Sequence, residues 1–127
     1  RSIPIASIWR SGARRGASPA LPQSRVRRVV DYVAEHLEAP LSLRDLAGVA
    51  AMEVFRFVRA FKVATGLPPH RYVLHARVDR SKELLADRSL SISEVAIRTG
   101  FATPSHFSTV FRRVASATPR AYRDALR

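Results

Sequence analysis

The sequence predicts an all-α chain of about seven helices, arranged as two similar helical subdomains joined by a long linker helix. Three observations predict it. Past residue 23 the apolar residues recur at helical spacing, and no segment alternates with a convincing strand period. Ser, Thr and Pro stand where helices would begin. A block of about fifty residues occurs twice, the feature that most constrains an architecture.

The elements follow in order. Residues 1–22 make an arm rich in Ser, Gly, Ala and Pro, expected to be poorly ordered. The stretch up to residue 28 holds seven arginines (Arg1, Arg10, Arg14, Arg15, Arg25, Arg27, Arg28) and no acid. A linker is the plainer reading of that arm than a dedicated nucleic-acid arm, and the absence of an initiating Met fits a fragment or a processed chain. From 23 onward one domain is expected, with boundaries at 23–67, 68–88 and 89–127. QSRVRRVVDYVAEHLEAP predicts a first helix from about Gln23 to Glu38, stopped before Pro40.

Next come the two copies. LSLRDLAGVAAM (41–52) aligns with LSISEVAIRTGF (90–101) at an offset of 49. Each carries a capping box, Ser42 with Asp45 and Ser91 with Glu94, in which Asp is the weaker third-position partner. Each then places a small Ala, Ala47 or Ala96, where two helices can approach closely. Past the turn the offset becomes 50: Phe57, Phe61, Lys62, Pro69 and Tyr72 match Phe107, Phe111, Arg112, Pro119 and Tyr122. Each copy is thus short helix, tight turn, second helix, which is a helix-turn-helix. Gly100 supplies a left-handed residue at the second turn. Ala51 holds the equivalent place in the first, at a cost on the order of 1 kcal/mol if the same backbone is kept. Between the copies, PPHRYVLHARVDRSKELLAD (68–87) reads as one helix starting at Pro68 or Pro69. Its length of roughly 25 Å suits a strut between modules about one duplex turn apart.

In TGFATPSHFSTVFRR (99–113), Thr103 can cap with its hydroxyl and Pro104 suits the first helical position. Phe107, Val110, Phe111 and Val114 then share an apolar face, leaving Ser105, Ser108, Thr109 and Arg112 in front. In the first copy the matching front is Phe55, Val58, Arg59 and Lys62.

Composition narrows the function classes. A net charge of +12 favours polyanionic partners. With no cysteine there is no disulfide framework, no thiolate metal site and no Cys nucleophile. His36, His70, His75 and His106 lack metal-ligand spacing, and Ser105 beside His106 is no dyad, because adjacent helical residues point different ways. No phosphate-cradling glycine pattern is present. Catalytic, metal and cofactor residues are accordingly all expected to be absent. No run is apolar and long enough to span a bilayer, and no signal-peptide pattern is visible.

The region from about Leu41 to Arg123 resembles the DNA-binding domain of AraC/XylS-type bacterial transcription regulators. The resemblance rests on LSLRDLA, FVRAFKVATGLPPHRYV, RVDRSKELL, the Ser91–Ala96 stretch, GF followed by SHF, VFRR and TPRAYR, about two-thirds of the chain. It implies a seven-helix, cytoplasmic, nucleoid-associated regulator, most often an activator. Two recognition helices would enter successive major grooves of double-stranded DNA, with RNA polymerase as a further possible partner. An effector, if any, would bind a domain this chain does not contain. A helix-turn-helix presents its second helix to base edges. On that footing Phe55, Val58 and Arg59, with Thr103, Pro104, Ser105, Ser108 and Thr109, are the expected base readers. Arg59 is the main candidate for a guanine. Phe55 and Val58 could instead pack against the preceding helix, Val58 nearly as readily as it would meet a base. Arg56, Lys62, Arg112 and Arg113, and the helix starts at Ser42 and Ser91, are expected on phosphates.

Three departures from the family pattern are visible. Ala51 and Ser116 replace customary glycines. Glu53 replaces a capping Ser, which predicts a less well capped first recognition helix. It also brings an anion near phosphate, where it would accept from a cytosine amino group or turn away. Asp79, Glu83 and Asp87 form an acidic row on the linker helix, and Asp31 with Glu35 another on the first helix; both are expected to face away from DNA. The rival reading is a basic helical RNA-binding or assembly protein. It gives no reason for paired helix-turn-helix units, and A-form major grooves do not readily admit a helix.

Overall fold

The computed structural model describes residues 23–126, so the arm and the final arginine lie outside the described residues. These contain seven α-helices and no strand: α1 Gln23–Glu35, α2 Leu43–Val49, α3 Val54–Thr65, α4 Pro69–Leu85, α5 Ile92–Arg98, α6 Pro104–Ala115 and α7 Pro119–Ala125.

The first helix ends at Glu35, earlier than the expected Glu38. The His36 amide turns back three residues to Val33 O (3.2 Å), and Ala39 N does the same to His36 O (3.0 Å). The chain thus tightens before Pro40, which is how helix ends commonly satisfy their last carbonyls. The His36 ring stacks on Tyr32 at 4.0 Å and its Nδ1 lies 2.8 Å from Tyr32 O, fixing the turn.

Both capping boxes form, and they differ as expected. Ser91 N donates to the Glu94 carboxylate over 2.8 Å, whereas Ser42 N reaches the shorter Asp45 only at 3.4 Å. Hydrogen bonds from the Ser91 amide and hydroxyl hold the Glu94 carboxyl below its usual pKa. The turns match as well. Ala51 has φ 56° and Gly100 φ 90°, and at the next turn Gly66 has φ 88° and Ser116 φ 62°. The repeat keeps the left-handed geometry even where it has lost the glycine.

Two cores form, and α4 belongs to both. Val26, Val29 and Val33 of α1 pack with Leu46, Phe57, Phe61, Tyr72 and Val73. Val78 and Leu85 of the same α4 pack with Val95, Phe101, Phe107 and Phe111. The amino half of α4 therefore completes the first subdomain and its carboxyl half founds the second, so this helix is more than a spacer. At its end two arginines exchange backbone caps. Arg123 donates to Leu85 O (2.9 Å) and Asp87 O (3.1 Å), and Arg88 donates to Arg123 O (3.2 Å) and Leu126 O (3.1 Å).

The subdomains meet at a tight seam. Arg77, midway along α4, donates from Nη2 to Ala39 O in the α1–α2 loop (2.9 Å). Its Nε is buried without a partner, and burial lowers its pKa. Gly100 lies directly against this guanidinium: a Cβ there would overlap the Leu37 carbonyl oxygen and come within 2.7 Å of Arg77 Nε. The turn of the second copy is thereby pressed onto the loop of the first. Ala51, by contrast, is exposed.

The two equivalent turns should respond oppositely to substitution. Ala51→Gly should relieve left-handed strain and raise unfolding stability by about 1 kcal/mol. Gly100→Ala should lower it by about 2–4 kcal/mol, since strain and overlap add. Urea unfolding of both variants checks this.

Candidate nucleic-acid interface

Helices α3 and α6 are built alike from the inside out. Phe57, Ala60 and Phe61 of α3, and Phe107, Val110 and Phe111 of α6, are all at most 4% exposed. Their rings continue the same ladder: Phe57 to Phe61 at 5.4 Å and Phe61 to Tyr72 at 5.2 Å, against Phe107 to Phe111 and Phe111 to Tyr122, both 5.6 Å. Edge-to-face packing fixes how each helix is rotated about its own axis, and so which residues are left outside.

What is left outside is polar or cationic on α6, and on α3 a mixture of cations with the apolar Phe55 and Val63. On α3, Phe55, Arg56, Arg59 and Lys62 are exposed and Val58 is half-buried. On α6, Pro104, Ser105, Thr109, Arg112 and Arg113 are exposed, as is Thr103 before it, and Ser108 is half-buried. Neither helix contains an acidic residue. Phe55 is 78% exposed, a large apolar ring on the first turn with no core to fill. At the start of α6, His106 joins Leu43 and Leu46 of α2 and Pro69 and Arg77 of α4 around a hollow of about 310 Å³. The His106 ring itself meets Phe101 edge-on at 5.5 Å.

The acids of the linker helix lie elsewhere. Asp79 and Glu83 line a hollow walled by Val30, Val33 and Ala34 of α1 and by Tyr72 and Ala76 of α4, to which neither α3 nor α6 contributes. Burial, and then the nearby Asp79 and Asp31 carboxylates, push the Tyr72 phenol up to about 12. Asp87 turns onto Ser89, taking its amide (3.0 Å) and its hydroxyl (2.6 Å). The exposed Arg80–Glu83 pair, at 2.7 Å, belongs to this acidic side.

The helix starts bring one correction and one refinement. Thr103 caps α6 as expected, its hydroxyl accepting from His106 N (3.1 Å), with Pro104 in the first turn. Glu53, expected to cap α3 poorly, caps it twice: Oε2 accepts from Phe55 N (2.9 Å) and Oε1 from Arg56 N (3.2 Å). A carboxylate reaches two amides where a hydroxyl reaches one, and its charge suits the positive end of the helix dipole. At Ser42 and Ser91 the capping boxes themselves take the amides of residues 42, 45, 91 and 94. The amides of residues 43, 44, 92 and 93 stand outside those boxes.

Sequence reasoning misjudged one residue that shapes the site and passed over another. The capping strength of Glu53 could have been read from its acid type just before an apolar helical run. Arg77 carried no such signal, because its partner carbonyl lies 38 residues away. Among the described residues no group of His, Asp or Glu could hold a metal ion, and no helix is long and apolar enough to cross a membrane.

Comparison with known proteins places this geometry in company. A family model described as a helix-turn-helix domain matches residues 46–125. A probable transcriptional regulator, LumQ of Photobacterium leiognathi, is 37% identical over 97 residues, 76% of this chain and 39% of that protein. The transcriptional activator RhaS of an Enterobacter strain is 32% identical over 101 residues, 80% of this chain and 36% of that protein. The chain thus spans under two-fifths of these relatives' lengths. Among solved structures, the DNA-binding domain of the transcriptional factor AdpA in complex with a target DNA superposes with TM-score 0.75 at 35% identity, over 79% of this chain and 90% of that one. An AraC-type regulator from Chromobacterium violaceum gives TM-score 0.75 at 31% identity, over 80% and 91%.

Packing and presentation should separate cleanly on α3. Phe57→Ala should cost about 3–5 kcal/mol of unfolding stability. Phe55→Ala, one turn-face away, should change it by no more than about 0.5 kcal/mol. Thermal and denaturant unfolding of the pair checks the assignment.

Proposed function

The chain belongs to the AraC/XylS-type helix-turn-helix family, and we propose from that premise that it is a sequence-specific double-stranded DNA-binding regulator of transcription. The single observation that carries this is the repeated helix with a buried aromatic back and an exposed front free of acid, present in both α3 and α6. Each front enters a major groove, and the two grooves are successive turns of one duplex. Arg59, Phe55 and Val58 read bases from α3. Thr103, Pro104, Ser105, Ser108 and Thr109 read them from α6, more permissively, since hydroxyls accept and donate alike. Arg56, Lys62, Arg112 and Arg113 hold phosphates, joined by the helix starts at Ser42 and Ser91 through the amides their boxes leave open.

The regulation is activation, a reading supported by the RhaS relative. Such an activator would meet RNA polymerase, and an effector, if any, would bind a domain outside this chain. The work is done at the chromosome, in the cytoplasm, and involves no catalysis, in keeping with a family of DNA-binding regulators.

In vitro selection of bound duplexes by the chain tests the reading. Two short preferred blocks about one helical turn apart are expected; enrichment of no sequence, or preference for duplex RNA, contradicts it. With a selected duplex in hand, Arg59→Ala should cost about 1–3 kcal/mol and relax preference within one block. Arg113→Ala should weaken all duplexes alike and flatten the salt dependence by about one unit of slope. Equal loss on every sequence for Arg59→Ala would reverse the assignment of reader and anchor.

A further inference from the structure

The two recognition helices begin differently. At the start of α6 stands a neutral hydroxyl, Thr103, closing one amide. At the start of α3 stands a carboxylate, Glu53, with both oxygens engaged by the amides of Phe55 and Arg56 at 2.9 and 3.2 Å. Its backbone is extended (φ −69°, ψ 146°), as a helix cap requires, and it is exposed to solvent. A full negative charge is therefore fixed at the leading end of the helix whose other ionisable groups are Arg56, Arg59 and Lys62.

A duplex phosphate brought to that helix end would meet this charge. A helix amino terminus is a ready anion site that reads no sequence, because its unpaired amides and dipole suit any phosphate. Glu53 occupies those amides and repels a second anion. It cannot swing aside without uncapping α3. Poses that rest the helix end on the backbone are thereby penalised. The pose that seats Arg59 and the 78%-exposed Phe55 against base edges is penalised less, since its contacts lie along the front of the helix. Discrimination can be raised as well by disfavouring the wrong complex as by favouring the right one.

We infer that Glu53 is a specificity-determining residue, whose carboxylate, locked over the first turn of α3, discourages sequence-independent seating of that helix on phosphate. The inference rests on the DNA-binding function proposed above and assigns its two helices unequal parts: α3 discriminates more, and α6, which reads permissively and has a neutral cap and the adjacent Arg112 and Arg113, anchors more.

The test uses the full chain and its Glu53→Ser, Glu53→Gln and Glu53→Asp variants. Binding to the selected duplex and to a random duplex is measured across a salt series, alongside thermal unfolding. Removing one charge a few ångströms from phosphate should tighten random-duplex binding about three- to ten-fold in Glu53→Ser and Glu53→Gln. Its salt slope should steepen by about one, and binding to the selected duplex should change far less, so the ratio falls. Glu53→Asp should keep the ratio, because it keeps charge and cap. A cap of purely structural value would shift melting and move both duplexes by the same factor; that result overturns the inference. So does loss of preference at a single base pair in Glu53→Gln, which would make Glu53 a base reader. A wild-type chain that favours no sequence defeats the proposed function itself, and this inference with it.

Discussion

The seam between the two subdomains is the constraint on which everything else depends. At its centre the Arg77 guanidinium bonds the Ala39 carbonyl, and the Gly100 turn lies against both Arg77 and the Leu37 carbonyl. Two helix-turn-helix units on a flexible tether would each bind weakly and independently. Pressed together across this contact, with α4 shared between both cores, they present α3 and α6 as parts of one body. The energetic logic is preorganisation: orientation settled on folding is not lost again on binding.

That seam also explains why the two copies have diverged. Left-handed geometry is required at residues 51 and 100 alike, yet only residue 100 is enclosed. An exposed turn tolerates an alanine at the cost of strain, whereas an enclosed one has no room for a Cβ. The third-position acid of the capping box has diverged too, from Glu94 to the shorter Asp45, with a visibly longer bond. The caps differ likewise, neutral Thr103 against anionic Glu53. Similar scaffolds thus carry different edges, and in the proposed function those edges face the duplex.

Most of the fold was legible in the sequence because its signals are local. Capping hydroxyls, Pro at helix starts and the spacing of Phe57, Phe61, Phe107 and Phe111 act within one or two turns, and the repeat let each copy check the other. The end of α1 was less legible: Pro40 sets a limit but not where the chain begins to tighten, which His36 and Val33 decide. Glu53 was misjudged because preference for Ser or Thr at a cap says nothing about a longer side chain reaching two amides. Arg77 and the crowding at Gly100 were not legible at all, since each depends on residues brought together only when the two cores close. For the candidate site, periodicity alone placed most of the outward rows, as the exposure of Arg59, Lys62, Thr109 and Arg112 shows, while Val58 and Ser108 are half-buried.

If the seam holds α3 and α6 in one fixed relation, the separation of the two sequence blocks on DNA must be fixed as well. The most direct measurement is binding to a series of selected duplexes in which base pairs are inserted between the blocks one at a time. A rigid pair predicts that about five inserted base pairs, which rotate one block to the far side of the duplex, reduce affinity to that of a single block. Undiminished affinity at every spacing would mean that the subdomains turn independently, and would contradict the account at its base.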